Sequence, residues 1–258
     1  TVSMALRGYA AGHLPLGNGY ETMIFVAWCL SLLALGIGRR FPIAAASGLL
    51  MSGFALLVAS LGMANPQITP LVPVLRSPWL SLHVSLIMVS YALLGLLMLN
   101  GTAALALAAA ARAGTAERTS RTLARLRLFG RLLLYPAVFL LTAGIFTGAV
   151  WANASWGRYW GWDPKEVWAL ITLIVYALPL HEQSLARFRR PLFFHAYTLW
   201  AFAAVLMTYF GVNYLLGGMH SYGGGFRPGY AAATVFAAVT AFALLTVAAL
   251  IRQRRTDT

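Results

Sequence analysis

Three tryptophans, an arginine and an aspartate fall within eight residues, Trp156-Gly157-Arg158-Tyr159-Trp160-Gly161-Trp162-Asp163, directly ahead of an apolar run. Indoles are costly to leave in water, and a cluster of them suits a flat, hydrophobic ligand resting at a membrane surface. Histidines supply the second chemistry. His83 follows Ser77-Pro78-Trp79 at the start of an apolar run, and His220 sits in Gly217-Gly218-Met219-His220-Ser221-Tyr222-Gly223. Two imidazoles flanking an aromatic shelf fit bis-histidine ligation of haem iron. The macrocycle would then lie on the indoles, with its propionates near Arg158, Arg76, Lys165 or Arg227.

Each of these residues also has a structural reading. Tryptophans at a membrane boundary form an aromatic belt. A single histidine at a helix end is commonly a hydrogen-bonded interfacial residue. Asp163-Pro164-Lys165-Glu166 is a helix start, with an acidic N-cap and proline at N1. The glycines around His220 make a turn. The weight lies in their convergence on one face of the membrane.

The elements that must position these groups are transmembrane helices. The chain is 60% apolar and 10% charged, with seven apolar runs at about 22–38, 43–62, 79–111, 131–150, 166–181, 192–216 and 230–251. Each approaches the length needed to cross ~30 Å of hydrocarbon at ~1.5 Å per residue. The third is too long and should protrude or bend near Gly95 or Gly101; the fifth is the shortest. The reading is an all-α polytopic bundle of about seven spans with a Trp-rich outer loop, residues 1–258 forming one integral membrane domain.

Charge orients it. The net charge of +13 comes from cations placed mostly in links between alternate runs. Fourteen (Arg39 and Arg40, the six arginines from Arg112 to Arg131, Arg187, Arg189, Arg190, Arg252, Arg254, Arg255) fall on one side and five on the other. The positive-inside rule puts the N-terminus outside and the C-terminus in the cytoplasm, and explains the charge without nucleic acid. An N-out start at Thr1 hints that another membrane segment precedes it. The lone Cys29 makes neither zinc site nor disulfide and reads as an inert thiol.

This topology puts His13, His83 and His220 outside with the tryptophans, and His181 and His195 near the inner side. Asp163 to His181 is eighteen helical residues, ~27 Å, so one ligand cannot touch both ends. His181 is either functional, as ionisable residues at membrane depth tend to be, or a residue snorkelling at the inner boundary. His195 is read as structural. His13 belongs to an outer segment rich in turn formers.

Several segments match a known family. Trp156-Gly157-x-x-Trp160-x-Trp162-Asp163, continued by Pro164-Lys165-Glu166-x-Trp168-Ala169, resembles the WWD signature of membrane haem-handling proteins in cytochrome c maturation. Gly12-His13-Leu14-Pro15 with Asn18-x-Tyr20-Glu21, Trp79-x-x-x-His83-Val84 with Ser90-Tyr91, and Gly211-Val212-Asn213 with Leu215 and His220-Ser221-Tyr222-Gly223 look most like the CcsA (ResC) type of cytochrome c synthase subunit. The matches run from about residue 12 to 225, with the WWD segment at 151–168.

The resemblance implies that His83 and His220 are axial ligands of an outward-facing haem b. The edge of this haem would be held by Trp156, Gly157, Arg158, Trp160, Trp162 and Asp163, and His181 would serve a second haem position in the membrane. It further implies a synthase of the holocytochrome c haem-lyase type in the bacterial inner membrane, working with a CcsB-type (ResB) membrane subunit often fused upstream. Its reaction would join haem vinyl groups to the two thiols of an apocytochrome c CxxCH motif. Without that partner a shared inner site would lack half its ligands. The chain would supply position rather than a nucleophile or base. Two other readings remain at this stage: a haem exporter or chaperone that loads another carrier, and a small-solute transporter with an aromatic outer gate. Mid-span residues that are almost all Ala, Leu, Val and Phe count against the transporter.

Overall fold

The computed structural model describes residues 1–60, 66–68, 70, 75–216, 218 and 229–257, without side-chain detail at 43, 113, 214, 229–234 and 254–257. Over these residues the chain is helical: α1 (Val2–Ala11), α2 (Gly19–Ile37), α3 (Pro42–Ser60), α4 (Pro78–Ala110), α5 (Ala116–Trp156), α6 (Pro164–Ala177), α7 (Pro191–Leu206), α8 (Val212–Leu215) and α9 (Gly229–Asp257). Short 3-10 turns cover Ala113–Thr115, Leu178–His181 and Ala186–Arg189, and a π turn at Met207–Gly211 joins α7 to α8. The expected polytopic helical class is therefore observed. Five helices are long and apolar enough to cross a membrane alone, while the apolar part of α3 is shorter and α6 has 14 residues.

The long third run forms one unbroken helix through Gly95 and Gly101. Gly101 has a packing role, because a Cβ there would come within 2.7 Å of the His195 carbonyl oxygen. The arginine-rich segment 112–131, expected as a link, is instead largely helix. After the turn Ala113–Thr115 it forms the first turns of the 41-residue α5. Alanine, leucine and arginine favour helix, and Glu117 pairs with Arg121 one turn on.

The chain forms two compact units, Thr1–Leu96 with Pro136–Trp162, and Leu97–Tyr135 with Asp163–Thr258. In the first unit α2 and α3 form an antiparallel pair. Ser52 donates to the Ala27 carbonyl at 2.8 Å and shares a 2.9 Å hydrogen bond with Ser31. The first half of α4 packs on the second half of α5, where Ser90 donates to the Ala137 carbonyl at 2.8 Å. In the second unit Leu105, Ala108, Leu192, Leu199 and Ala249 make an apolar core joining α4, α7 and α9. Asn100 donates to the Leu126 carbonyl at 3.0 Å. Bonds of this kind count because a bilayer offers no water to an unpaired polar group.

Candidate functional site

In the first unit the site is built on the α4–α5 pair. His83 lies on α4, and its Nδ1 is 2.6 Å from the Gly144 carbonyl oxygen of α5. A carbonyl only accepts, so Nδ1 carries the proton, and in the neutral ring the lone pair then lies on Nε2. The ring lies flat on α5 because Gly148 has no side chain: a Cβ there would be 2.6 Å from Nδ1. Gly144 makes room in the same way for Ile87. A backbone carbonyl behind Nδ1 is the usual device for orienting a ligating histidine.

The tryptophan segment continues the same helix. Trp156 closes α5, and Gly148 to Trp156 is eight residues, ~12 Å along the axis. Trp151 is fully buried and meets Trp156 edge to face at 4.8 Å. The helix then stops at Gly157, whose φ of 73° is the left-handed cap conformation that glycine adopts without penalty. Trp160 and Trp162 meet edge to face at 5.8 Å. Trp162 holds a left-handed backbone, φ 57°, which is strained for a bulky residue, and the residue is 72% exposed. Arg158 folds back on its own loop, its guanidinium near 3 Å from where a Gly161 Cβ would sit. The loop thus presents an open indole held at a conformational cost.

In the second unit Asp163 is the expected N-cap of α6. Its carboxylate accepts from the Lys165 N–H at 3.0 Å, and the Glu166 carboxylate accepts from the Asp163 N–H at 3.1 Å. Lys165 Nζ donates to Asn213 Oδ1 at 2.8 Å, and Asn213 Nδ2 donates to the Tyr209 carbonyl at 2.6 Å. Gly218 lies against Asp163, where a Cβ would come within 2.6 Å of Oδ2. Burial of the Lys165 ammonium, at the head of α6, pushes its pKa down to about 8, and the nearby Asp163 charge opposes that shift. His220 and Arg227 lie outside the described residues.

His181 is exposed at the end of its 3-10 turn, with Nδ1 donating to the Ala177 carbonyl at 2.9 Å. The next residue is clamped. Glu182 accepts from both Arg127 and Arg131, the latter at 2.8 Å, and Arg127 Nε donates to the Phe188 carbonyl at 3.0 Å. The clamp escaped sequence reasoning. Its only signal was one acid in an arginine-rich link. His195 is fully buried with Nε2 3.3 Å from the Leu123 carbonyl, in keeping with a structural role. His13 is exposed, its Nδ1 2.7 Å from the Leu14 carbonyl. Among the neighbours of His13 in the sequence, Asn18 caps α2, and buried Glu21 takes the Gly17 N–H at 2.7 Å and Arg7 at 2.8 Å.

A porphyrin brings four nitrogens of its own and asks only for axial donors such as an imidazole. His83 offers one, on the helix pair whose second member ends at Trp156. Residues 16–220 match the model of the cytochrome C assembly protein family. The chain is 42% identical over 87% of its length to the protein NrfI of Wolinella succinogenes, of which it spans 25%. It is 37% identical over 86% of its length to the cytochrome c biogenesis protein CcsA of Synechococcus sp. (strain WH7803), covering 81% of that protein, and 36% identical to the CcsA of Chlamydomonas reinhardtii, covering 64%. The chain belongs to the cytochrome C assembly protein family and is a membrane protein of cytochrome c maturation.

Proposed function

We propose that this chain is the subunit of a cytochrome c synthase that brings haem to the outer face of the bacterial inner membrane and presents it to apocytochrome c. The observation that carries this reading is the His83 ring, held by the Gly144 carbonyl with its lone pair on Nε2, on the helix pair that ends in the tryptophan segment. His83 and His220 would be the axial donors, and Trp156, Trp160 and Trp162 would cover the macrocycle. Arg158 and Lys165 are the nearest cations in the sequence for its propionates. His181 would serve a second position near the inner boundary.

The substrate haem b supplies two vinyl groups, and the CxxCH thiols of the apocytochrome add across them to form thioethers. The protein groups hold and orient. Gly148 and Gly144 fix the imidazole plane, and the strained Trp162 keeps an indole face outward. Preorganisation of this sort supplies rate without a nucleophile in the chain. The CcsB-type (ResB) subunit would complete the inner site and the lyase activity.

The test is an absorption spectrum of the full chain purified from haem-sufficient cells, alone and with a CcsB-type subunit. The wild type should carry a six-coordinate haem spectrum. His83→Gly should lose most of it, and added imidazole should restore it. A His83→Gly protein with unchanged spectrum and unchanged holocytochrome yield would overturn the assignment.

A further inference from the structure

One face of α5 before Pro136 carries two chemistries in succession. At 100° per residue Arg118, Arg121, Arg125, Leu128, Leu132 and Tyr135 share a single side of the helix, and all are exposed. Arg127 points elsewhere, into the clamp on Glu182. Leu128 is 58% exposed and Leu132 55%, an apolar surface suited to acyl chains. Between Arg125 and Leu128 the face changes from guanidinium to hydrocarbon within one turn, ~5 Å. Such a change is what a boundary between hydrocarbon and headgroup layers asks of a helix face.

A recess of about 550 Å³ lies on the arginine side of that turn, lined by Gly114, Glu117, Arg118, Arg121, Thr122 and Arg125. Glu117 is paired with Arg121. Among the described residues neither Arg118 nor Arg125 has an acidic partner, so the recess keeps net positive charge. Guanidinium groups bind phosphate through paired N–H donors. We propose that this recess binds the phosphate of an anionic phospholipid, whose acyl chains lie along Leu128, Leu132 and Tyr135. The adjoining apolar face favours a lipid over free phosphate, which would use the arginines alone. The proposal is independent of any haem role for the chain.

Native mass spectrometry of the full chain in neutral detergent tests it, with phosphatidylglycerol, phosphatidylcholine and inorganic phosphate titrated separately. Phosphatidylglycerol should bind at least tenfold more tightly than phosphatidylcholine. Each unneutralised arginine contributes roughly five- to sixfold, so Arg118→Gln with Arg125→Gln should weaken phosphatidylglycerol about thirtyfold. Arg39→Gln with Arg40→Gln, exposed in another link, should change it little. Glu117→Gln should tighten it, by removing the competing carboxylate. Unaltered phosphatidylglycerol binding by the Arg118/Arg125 variant overturns the site. Equal binding of both lipids does the same, and displacement of phosphatidylglycerol by millimolar inorganic phosphate overturns the choice of lipid as occupant. A matching melting curve in lipid-free detergent shows that the variant is folded. If that curve differs, the single Arg118→Gln and Arg125→Gln variants, each expected to lose about fivefold, decide the matter.

Discussion

Lys165 Nζ donates to Asn213 Oδ1 at 2.8 Å, tying the head of α6 to the end of the helix that leads to Gly218. Burial holds the pKa of Lys165 at about 8, below its ordinary 10.5. Between these values the unfolded chain binds the proton and the folded chain does not, so stability should rise with pH from about 8 to about 10.5. The apparent melting temperature of the detergent-solubilised protein should climb through that window. Lys165→Met should flatten the climb. A wild-type curve that falls across the same interval would contradict the burial of this amine.

The Asp163 carboxylate makes a capping box, so this structural role can be separated from the ligand-facing one proposed for it. Asp163→Ala should lower stability by ~1–2 kcal/mol through loss of the cap. Asp163→Asn, which can still accept the N–H of Lys165, should cost a few tenths. If the carboxylate also matters to haem through its charge, Asp163→Asn should be nearly as stable as wild type yet retain less haem. Melting temperature and haem-to-protein ratio, measured on the same samples, separate the two effects.

Glu182 with Arg127 and Arg131 is a half-buried ion cluster beside His181, with Glu182 18% exposed. Glu182→Ala leaves two guanidinium groups without their carboxylate and should cost ~3 kcal/mol, the scale for breaking one side of a buried pair. The loop 183–190 should then be cut faster by protease. Glu182→Gln, which still accepts hydrogen bonds, should be cut at an intermediate rate. Equal proteolysis of all three proteins would mean that the cluster does not hold the loop.

Much of this fold could be read from hydropathy, because a bilayer forces every long apolar run into a helix. The N-cap at Asp163 and the helix start at Pro164 followed from residue type alone. What hydropathy could not supply was pairing. Nothing local in the sequence tells Gly144 and Gly148 that they face Ile87 and His83, since that contact is made across two helices sixty residues apart. Segment 112–131 looked like a link because charge argued for water. The same arginines are strong helix formers and extend α5 past the apolar stretch. Asn213 matched a family pattern, but its partner Lys165 was visible only in three dimensions.

Trp162 gives the sharpest test, because its stability and its proposed role should respond in opposite directions. The residue holds φ 57° and exposes 72% of its surface. A left-handed conformation costs a non-glycine residue ~1–2 kcal/mol. Trp162→Gly removes that strain and a solvent-facing indole, though glycine gives part back by loosening the unfolded chain. The lipid-free melting temperature should therefore hold or rise. Haem retention should fall, because the edge-to-face partner of Trp160 and one wall of the shelf are gone. Trp162→Ala keeps the strain and lacks the indole, so it should lose both stability and haem. If Trp162→Gly were less stable than Trp162→Ala, the backbone would not be strained there. If both variants kept full haem, the exposed ring would not be part of the shelf.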